Sequence, residues 1–125
     1  MPKLLIVEDN VFFRETLARI LINSFPSVEI AEAGGGQQAF REIEAKRPKL
    51  IFMDIGLPEE NGIQLTKEIS DRFPEIAIIV ISNYDTRKYR DAALNAGAAV
   101  FMSKESSTPK DIIETAKKTL PELSA

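Results

Sequence analysis

The sequence predicts an α/β fold in which strands and helices alternate around a parallel sheet. Three observations carry that expectation: five short apolar runs, helical apolar spacing between them, and turn residues at the joints. The pattern repeats as βα five times within 125 residues, which fits one domain over residues 1–125 with a full core and leaves no length for a second.

The first run, Lys3–Val7, precedes Phe13, Leu17, Ile20 and Leu21, whose i, i+4, i+7, i+8 spacing forms one apolar stripe of a helix. The second, Val28–Ala33, ends at Gly34-Gly35-Gly36, a turn that matches no nucleotide phosphate loop, and leads into a weaker helix over Gly36–Lys46. The third, Leu50–Met53, is apolar throughout, as a strand buried on both faces is. Leu65, Ile69 and Phe73 repeat the helical spacing after Gly62. The fourth run, Ile76–Ile81, is rich in β-branched residues. The helix after it, Thr86–Ala96, offers mainly Ala92, Ala93 and Ala96 for burial, so shallow docking is expected, with Gly97 as its stop. The fifth run, Ala99–Met102, precedes Thr108-Pro109, an N-cap followed by a residue preset for the first helical position. Ile112, Ile113, Ala116 and Leu120 then line the last helix. Right-handed crossovers between the strands force a parallel sheet, doubly wound with helices on both faces.

Composition narrows the chemistry. A net charge of −3 gives no broad attraction for nucleic acid or an anionic membrane. No apolar run is long enough to span a bilayer, and the start of the chain lacks a signal peptide's apolar core and cleavage site, so a cytoplasmic location is expected. The absence of cysteine removes disulfides and thiolate chemistry, and the absence of histidine removes the commonest base and transition-metal ligand. Carboxylates, hydroxyls, lysine and a hard cation held by oxygen remain.

In such sheets, ligands sit outside the carboxyl ends of the strands. Glu8-Asp9 end the first strand, Asp54 the third, Ser82 the fourth with Asn83 behind it, and Ser103-Lys104 the fifth; only the second strand brings nothing polar to that rim. Each has an ordinary reading by itself. Asp9 could cap the first helix, Glu8 could be a solvated acid, Ser82 and Asn83 turn residues, and Lys104 a surface charge. Their convergence on one edge favours a site. Two unit charges ~5 Å apart repel by about 3 kcal/mol at an effective dielectric of ~20, so clustered acids need protons or a cation. An all-oxygen donor set favours Mg2+ or Mn2+ over zinc, and Asp9, Asp54 and one backbone carbonyl suffice for Mg2+, which retains waters. A carboxylate beside Mg2+ and Lys104 can attack a phosphoryl group. The cation, Lys104 and the Ser82 hydroxyl would then meet its three equatorial oxygens, with Asp54 as the nucleophile.

Glu8-Asp9, the MDIGLPEENG segment around Asp54, Ser82 and the AAVFMSK run into Lys104 resemble the receiver domain of two-component response regulators, over nearly the whole chain and in the same order. MDIGLP, and the KE at Lys104-Glu105, are most similar to the transcription-factor subfamily with a C-terminal helix-turn-helix. The resemblance implies a flavodoxin-like strand order 2-1-3-4-5 and a phosphoacceptor signalling domain rather than an enzyme. Asp54 is implied to accept phosphate from a sensor histidine kinase or phosphotransfer protein. Asp9 is implied to bind Mg2+ directly, Glu8 mainly through water, and the Gly56 carbonyl to be the backbone ligand. Ser82 would bond the phosphoryl oxygen and move towards it, and Lys104 would pair with the phosphoryl group. Phe101, on plain packing grounds a core residue, falls at the switch aromatic that turns inward as Ser82 moves. Pro58 and Gly62 shape the loop before the third helix. The fourth helix, fifth strand and fifth helix become the face that changes, and its mixed charges, among them Arg87, Lys88, Arg90, Asp91, Lys110, Asp111 and Lys117, suit a second copy of the chain or an output partner.

Three positions depart from the family pattern. Ser82 replaces the commoner threonine, Glu105 stands where proline often follows the lysine and puts the usual cis peptide in question, and Phe101 lacks a hydroxyl often present there. Gly56 and Tyr84 align with positions that tune dephosphorylation, and a bulky Tyr84 would shield an acyl phosphate from water. Other readings stay open: a phosphorylation-independent binding module, and a Mg2+-dependent aspartyl phosphatase, whose second Asp two residues past the nucleophile is Gly56 here. A flavin carrier on the same architecture would need a phosphate loop where this chain has Glu8-Asp9.

Overall fold

A computed structural model of the chain describes residues 2–56 and 61–124. Five parallel strands, β1 (Lys3–Val7), β2 (Glu29–Ala33), β3 (Leu50–Met53), β4 (Ala77–Ser82) and β5 (Val100–Ser103), lie in the order β2-β1-β3-β4-β5. They alternate with α1 (Val11–Ser24), α2 (Gly36–Lys46), α3 (Gly62–Arg72), α4 (Arg87–Asn95) and α5 (Pro109–Thr119). The expected class, strand order and five helices are all observed. A 3-10 helix, Pro121–Ser124, follows α5 unannounced by any apolar repeat; it buries Leu123 and pairs Glu122 with Lys49.

Successive strand residues face opposite sides of a sheet, so the core divides in two. Leu5, Val7, Ile51, Met53, Ile78, Val80 and Phe101 pack with Ala39, Ile43, Leu65, Ile69 and Ala93 of α2, α3 and α4. Leu4, Ile6, Leu50, Phe52, Ile79, Ile81 and Met102 pack with Leu17, Leu21, Ile112 and Ala116 of α1 and α5. All four residues of β3 are 0% exposed, so an acid is tolerable only beyond the strand's end. β4 and β5 each run one residue further towards the rim than the apolar runs suggested. Their ladder continues through the Ser82–Ser103 pair, and the Lys104 N–H donates to the Ser82 carbonyl at 3.0 Å.

The helix ends explain what is free at that rim. Asn10, not Asp9, caps α1 by accepting the Phe13 N–H, so the capping role considered for Asp9 is overturned. Thr108 and Asp111 form a reciprocal capping box at α5 with Pro109 in the first turn, and the Thr108 N–H holds the Asp111 carboxyl below its ordinary range. Within α4 only Ala93 is buried, which agrees with shallow docking. Gly97 adopts φ +117, and a Cβ there would also collide with Ser70, so glycine is required twice over. A Cβ at Gly62 would meet the backbone of Ile55, which sets how closely α3 follows β3. Pro58, expected to shape the preceding loop, lies outside the described residues. No cis peptide bond occurs among the described residues, so the peptide after Lys104 is trans. No described helix is long and apolar enough to cross a membrane.

Candidate functional site

The ends of β1, β3 and β5 bring three acids and a lysine together. Past the end of β3 the Asp54 N–H still donates to the Val7 carbonyl at 3.0 Å, which fixes its backbone beside Glu8. Asp54 is 6% exposed; its Oδ1 accepts the Gly56 N–H at 3.0 Å and its Oδ2 lies 3.4 Å from Lys104 Nζ. Glu8 is 2% exposed, with Oε1 at 2.6 Å from Lys104 Nζ and Oε2 accepting the Asn10 N–H at 3.1 Å. Asp9 is exposed, and one carboxylate oxygen from each of Glu8, Asp9 and Asp54 lies within 4.8 Å of the others.

That crowding has an electrostatic consequence. Burial pushes the Glu8 carboxyl up to about 7, and the charge of Asp54 adds to the push, against the Lys104 ammonium and the Asn10 N–H. Lys104 is itself held, its Nζ 4.4 Å from the centroid of the Phe13 ring. An oxygen-only donor set, crowded and partly desolvated, suits a hard divalent cation, so the residues present fit Mg2+ or Mn2+. Lys104 lies closer to Glu8, at 2.6 Å, than to Asp54, at 3.4 Å, and Asp9 is the exposed member of the three acids.

The other predicted residues surround this core differently. Ser82 is fully buried, and its hydroxyl accepts the Tyr84 N–H at 3.0 Å within its own loop. The Tyr84 ring lies against Gly56, so closely that a Cβ there would push the ring aside; the glycine reflects this close approach rather than its backbone conformation. Tyr84 also packs on Tyr89, ring centroids 5.4 Å apart. Phe101 was expected to turn inward as Ser82 moves. It is already inward, 6% exposed in the layer that contains Val80 and Ala93, with the Arg90 guanidinium 5.1 Å from its ring centroid. Burying an aromatic ring is favourable without any ligand, which accounts for the difference.

Four site neighbours escaped the sequence reading: Asn10, Phe13, Arg14 and Glu32. Arg14 Nη1 donates to the Glu8 carbonyl at 2.8 Å and its Nε to Glu32 Oε1 at 2.9 Å. Glu32 belongs to β2, so the second strand is not silent at the rim, contrary to expectation. A signal existed. Arg14 is three residues before Leu17 and seven before Leu21, on the buried face of α1, where a cation must find an acceptor.

Known proteins share this fold and part of this sequence. The family profile of the response regulator receiver domain matches residues 4–117. The chain is 31% identical over 103 residues to the transcriptional regulatory protein DegU of Brevibacillus brevis, covering 82% of this chain and 44% of that protein. It is 37% identical over 116 residues to protein-glutamate methylesterase/protein-glutamine glutaminase 1 of Syntrophus aciditrophicus (strain SB), covering 89% of this chain and 32% of that protein. The crystal structure of a CheY-like response regulator receiver domain protein from Methanospirillum hungatei JF-1 superposes with a TM-score of 0.88 at 27% identity, over 99% of this chain and 97% of that one. The chain spans about half the length of the curated relatives it matches first. The chain aligns with 44% of a protein named as a transcriptional regulator and with 32% of one named as an enzyme, so the likeness concerns the shared stretch alone. With its sheet order, its acidic rim and a match that runs from β1 into α5, the chain belongs to the response regulator receiver domain family, the signalling domains of two-component systems.

Proposed function

We propose that residues 1–125 act as a single phosphoacceptor domain with Asp54 as the acceptor. One observation carries the reading. Asp54 stands just past a wholly buried strand, 3.4 Å from Lys104 Nζ and within 4.8 Å of two further acids, an arrangement that gains stability only when charge is added to balance it. A carboxylate oxygen of Asp54 forms a P–O bond as the P–N bond of a phosphohistidine on a sensor histidine kinase or phosphotransfer protein breaks, its electron pair returning to the imidazole. Mg2+ or Mn2+, when bound, neutralises the phosphoryl oxygens and steadies the geometry of transfer. Asp9, Asp54 and the Gly56 carbonyl would hold it, with Glu8 behind them. Lys104 already touches both Glu8 and Asp54, so it meets the new negative charge with a small shift. Ser82 would exchange its bond from Tyr84 for one to the phosphoryl group, drawing the loop before α4 with it.

That movement would reach α4, β5 and α5 through Phe101 and shift a pre-existing equilibrium of this face. The face carries exposed mixed charges, including the Arg87–Asp91 and Lys110–Glu114 pairs, and suits a second copy of the chain or an output partner. We read the output as transcription regulation in the cytoplasm by a partner or a further domain, with no direct contact of this domain to nucleic acid or membrane. The domain is read as a signalling element rather than an enzyme, its self-phosphorylation and autodephosphorylation aside.

Intact mass spectrometry after incubation with acetyl phosphate tests this. One added phosphoryl group is expected on the native chain, dependent on Mg2+ and absent from Asp54→Asn. Tyr84→Ala, which uncovers Gly56, should lose the adduct faster once the donor is removed. No adduct under rapid quenching, with a fluoride–beryllium mimic also failing to bind, would make the chain a binding module on a receiver fold.

A further inference from the structure

We infer that Arg14 is a positioning residue for the cation site, and that through it the edge strand β2 supports the Glu8–Asp9 segment. The inference rests on the reading that Glu8, Asp9 and Asp54 hold a divalent cation. The β1–β2 ladder ends at the Val7–Ala33 pair, and the Glu8 N–H makes its last bond, to the Ala33 carbonyl at 2.9 Å. The Glu8 carbonyl lies beyond that register and needs another donor. Arg14 Nη1 supplies it at 2.8 Å. This carbonyl belongs to the peptide plane that joins Glu8 to Asp9, so its bond fixes where the Asp9 N and Cα sit and leaves only rotation about the N–Cα bond to aim the Asp9 side chain.

The donor is rigid for two reasons. A guanidinium is a planar fork, so its plane is fixed once two of its donors are engaged. Its Nε is held at 2.9 Å by Glu32, which is itself anchored in β2 opposite Ile6. The Arg14 side chain is only 20% exposed, so water competes weakly for these bonds. Charge is also accounted for. Glu32 offsets the guanidinium, so the pair can hold the backbone beside the acidic cluster without repelling an incoming cation.

Titration of the full chain with Mn2+, reading free ion by electron paramagnetic resonance, tests the assignment, with metal-free thermal melting run beside it. Arg14→Met is expected to weaken Mn2+ binding about 10-fold, the effect of losing a group that orients a metal ligand. Arg72→Met is the control, since Arg72 lies over Phe40 and Phe73 and pairs with Glu44 away from the site; it should lower the melting temperature and leave Mn2+ affinity unchanged. Should Arg14→Met fail to fold, Arg14→Lys, which keeps the charge and loses the fork, must still weaken binding several-fold. Native-like affinity in the folded Arg14 variant, or an equal loss in Arg72→Met, would overturn the inference while the cation reading stands. A native chain that binds no Mn2+ overturns both.

Discussion

The two ends of the sheet use the same residue types and treat them oppositely. At the amino end, Lys3–Glu29 and Lys49–Glu122 pair at 3.7 and 3.1 Å with side chains between 41 and 59% exposed. At the carboxyl end, Lys104 and Glu8 meet at 2.6 Å with side chains 12 and 2% exposed. Water solvates each partner of an exposed pair, so such pairs contribute at most about 1 kcal/mol. Desolvation at the other rim costs more than one lysine offsets, because two buried acids, Glu8 and Asp54, share Lys104 and the exposed Asp9 adds its charge beside them. The burial that pushes Glu8 up to about 7 is the local sign of that imbalance. The fold therefore keeps one rim electrostatically indifferent and leaves the other short of positive charge, as a site for a cation and a transferred anion would be.

Replacing the lysine at each end should separate the two most sharply. Lys104→Met is expected to lose about 3 kcal/mol at pH 8 in urea unfolding, because it strands buried carboxylates without a cation. The loss should shrink at pH 5, where native Glu8 holds its proton. A cost at pH 8 no larger than an exposed pair's would mean that water screens this rim as it screens the other. Glu8→Gln sharpens the comparison next. Native Glu8 releases its proton near 7 and the unfolded chain near 4.5, so between those values the folded state binds more protons. The contribution of Glu8 is fully present below about 4.5 and lost as pH rises through about 7. Metal-free stability of the native chain should fall relative to Glu8→Gln by a few kcal/mol across that window; a relative rise would contradict the burial. Lys49→Met should change stability least, within about 0.5 kcal/mol, with a smaller effect still in added salt.

The fold was legible because the properties that specify it are local. Apolar runs, helical spacing and turn chemistry placed β1, β3 and α2 without error and β2, β4, β5 and α4 to within one residue at their ends, while α1, α3 and α5 were located by their apolar stripes without bounds. The 3-10 helix was not legible, since four residues hold no period and its place depends on Leu123 reaching the α1–α5 layer. At the site, Glu8, Asp9, Asp54, Ser82 and Lys104 were legible as a group because a parallel sheet delivers every strand end to one edge. Their partners were not. Phe13 was read as one more apolar position of α1, and it lies under the Lys104 ammonium.

The sequence by itself determined which chemistry is available and on which edge it gathers: carboxylates, a hydroxyl and a lysine, with neither cysteine nor histidine. Tertiary structure alone decided who meets whom. Lys104 reaches back 50 residues to Asp54 and sits closest to Glu8, Arg14 spans 18 residues to hold β2 to the end of β1, and the Tyr84 ring settles on Gly56. The reason is physical. Residue type and spacing set what a strand or helix presents, whereas side-chain charge and contact vary over a few ångströms, and those distances exist only after the sheet has brought distant segments together.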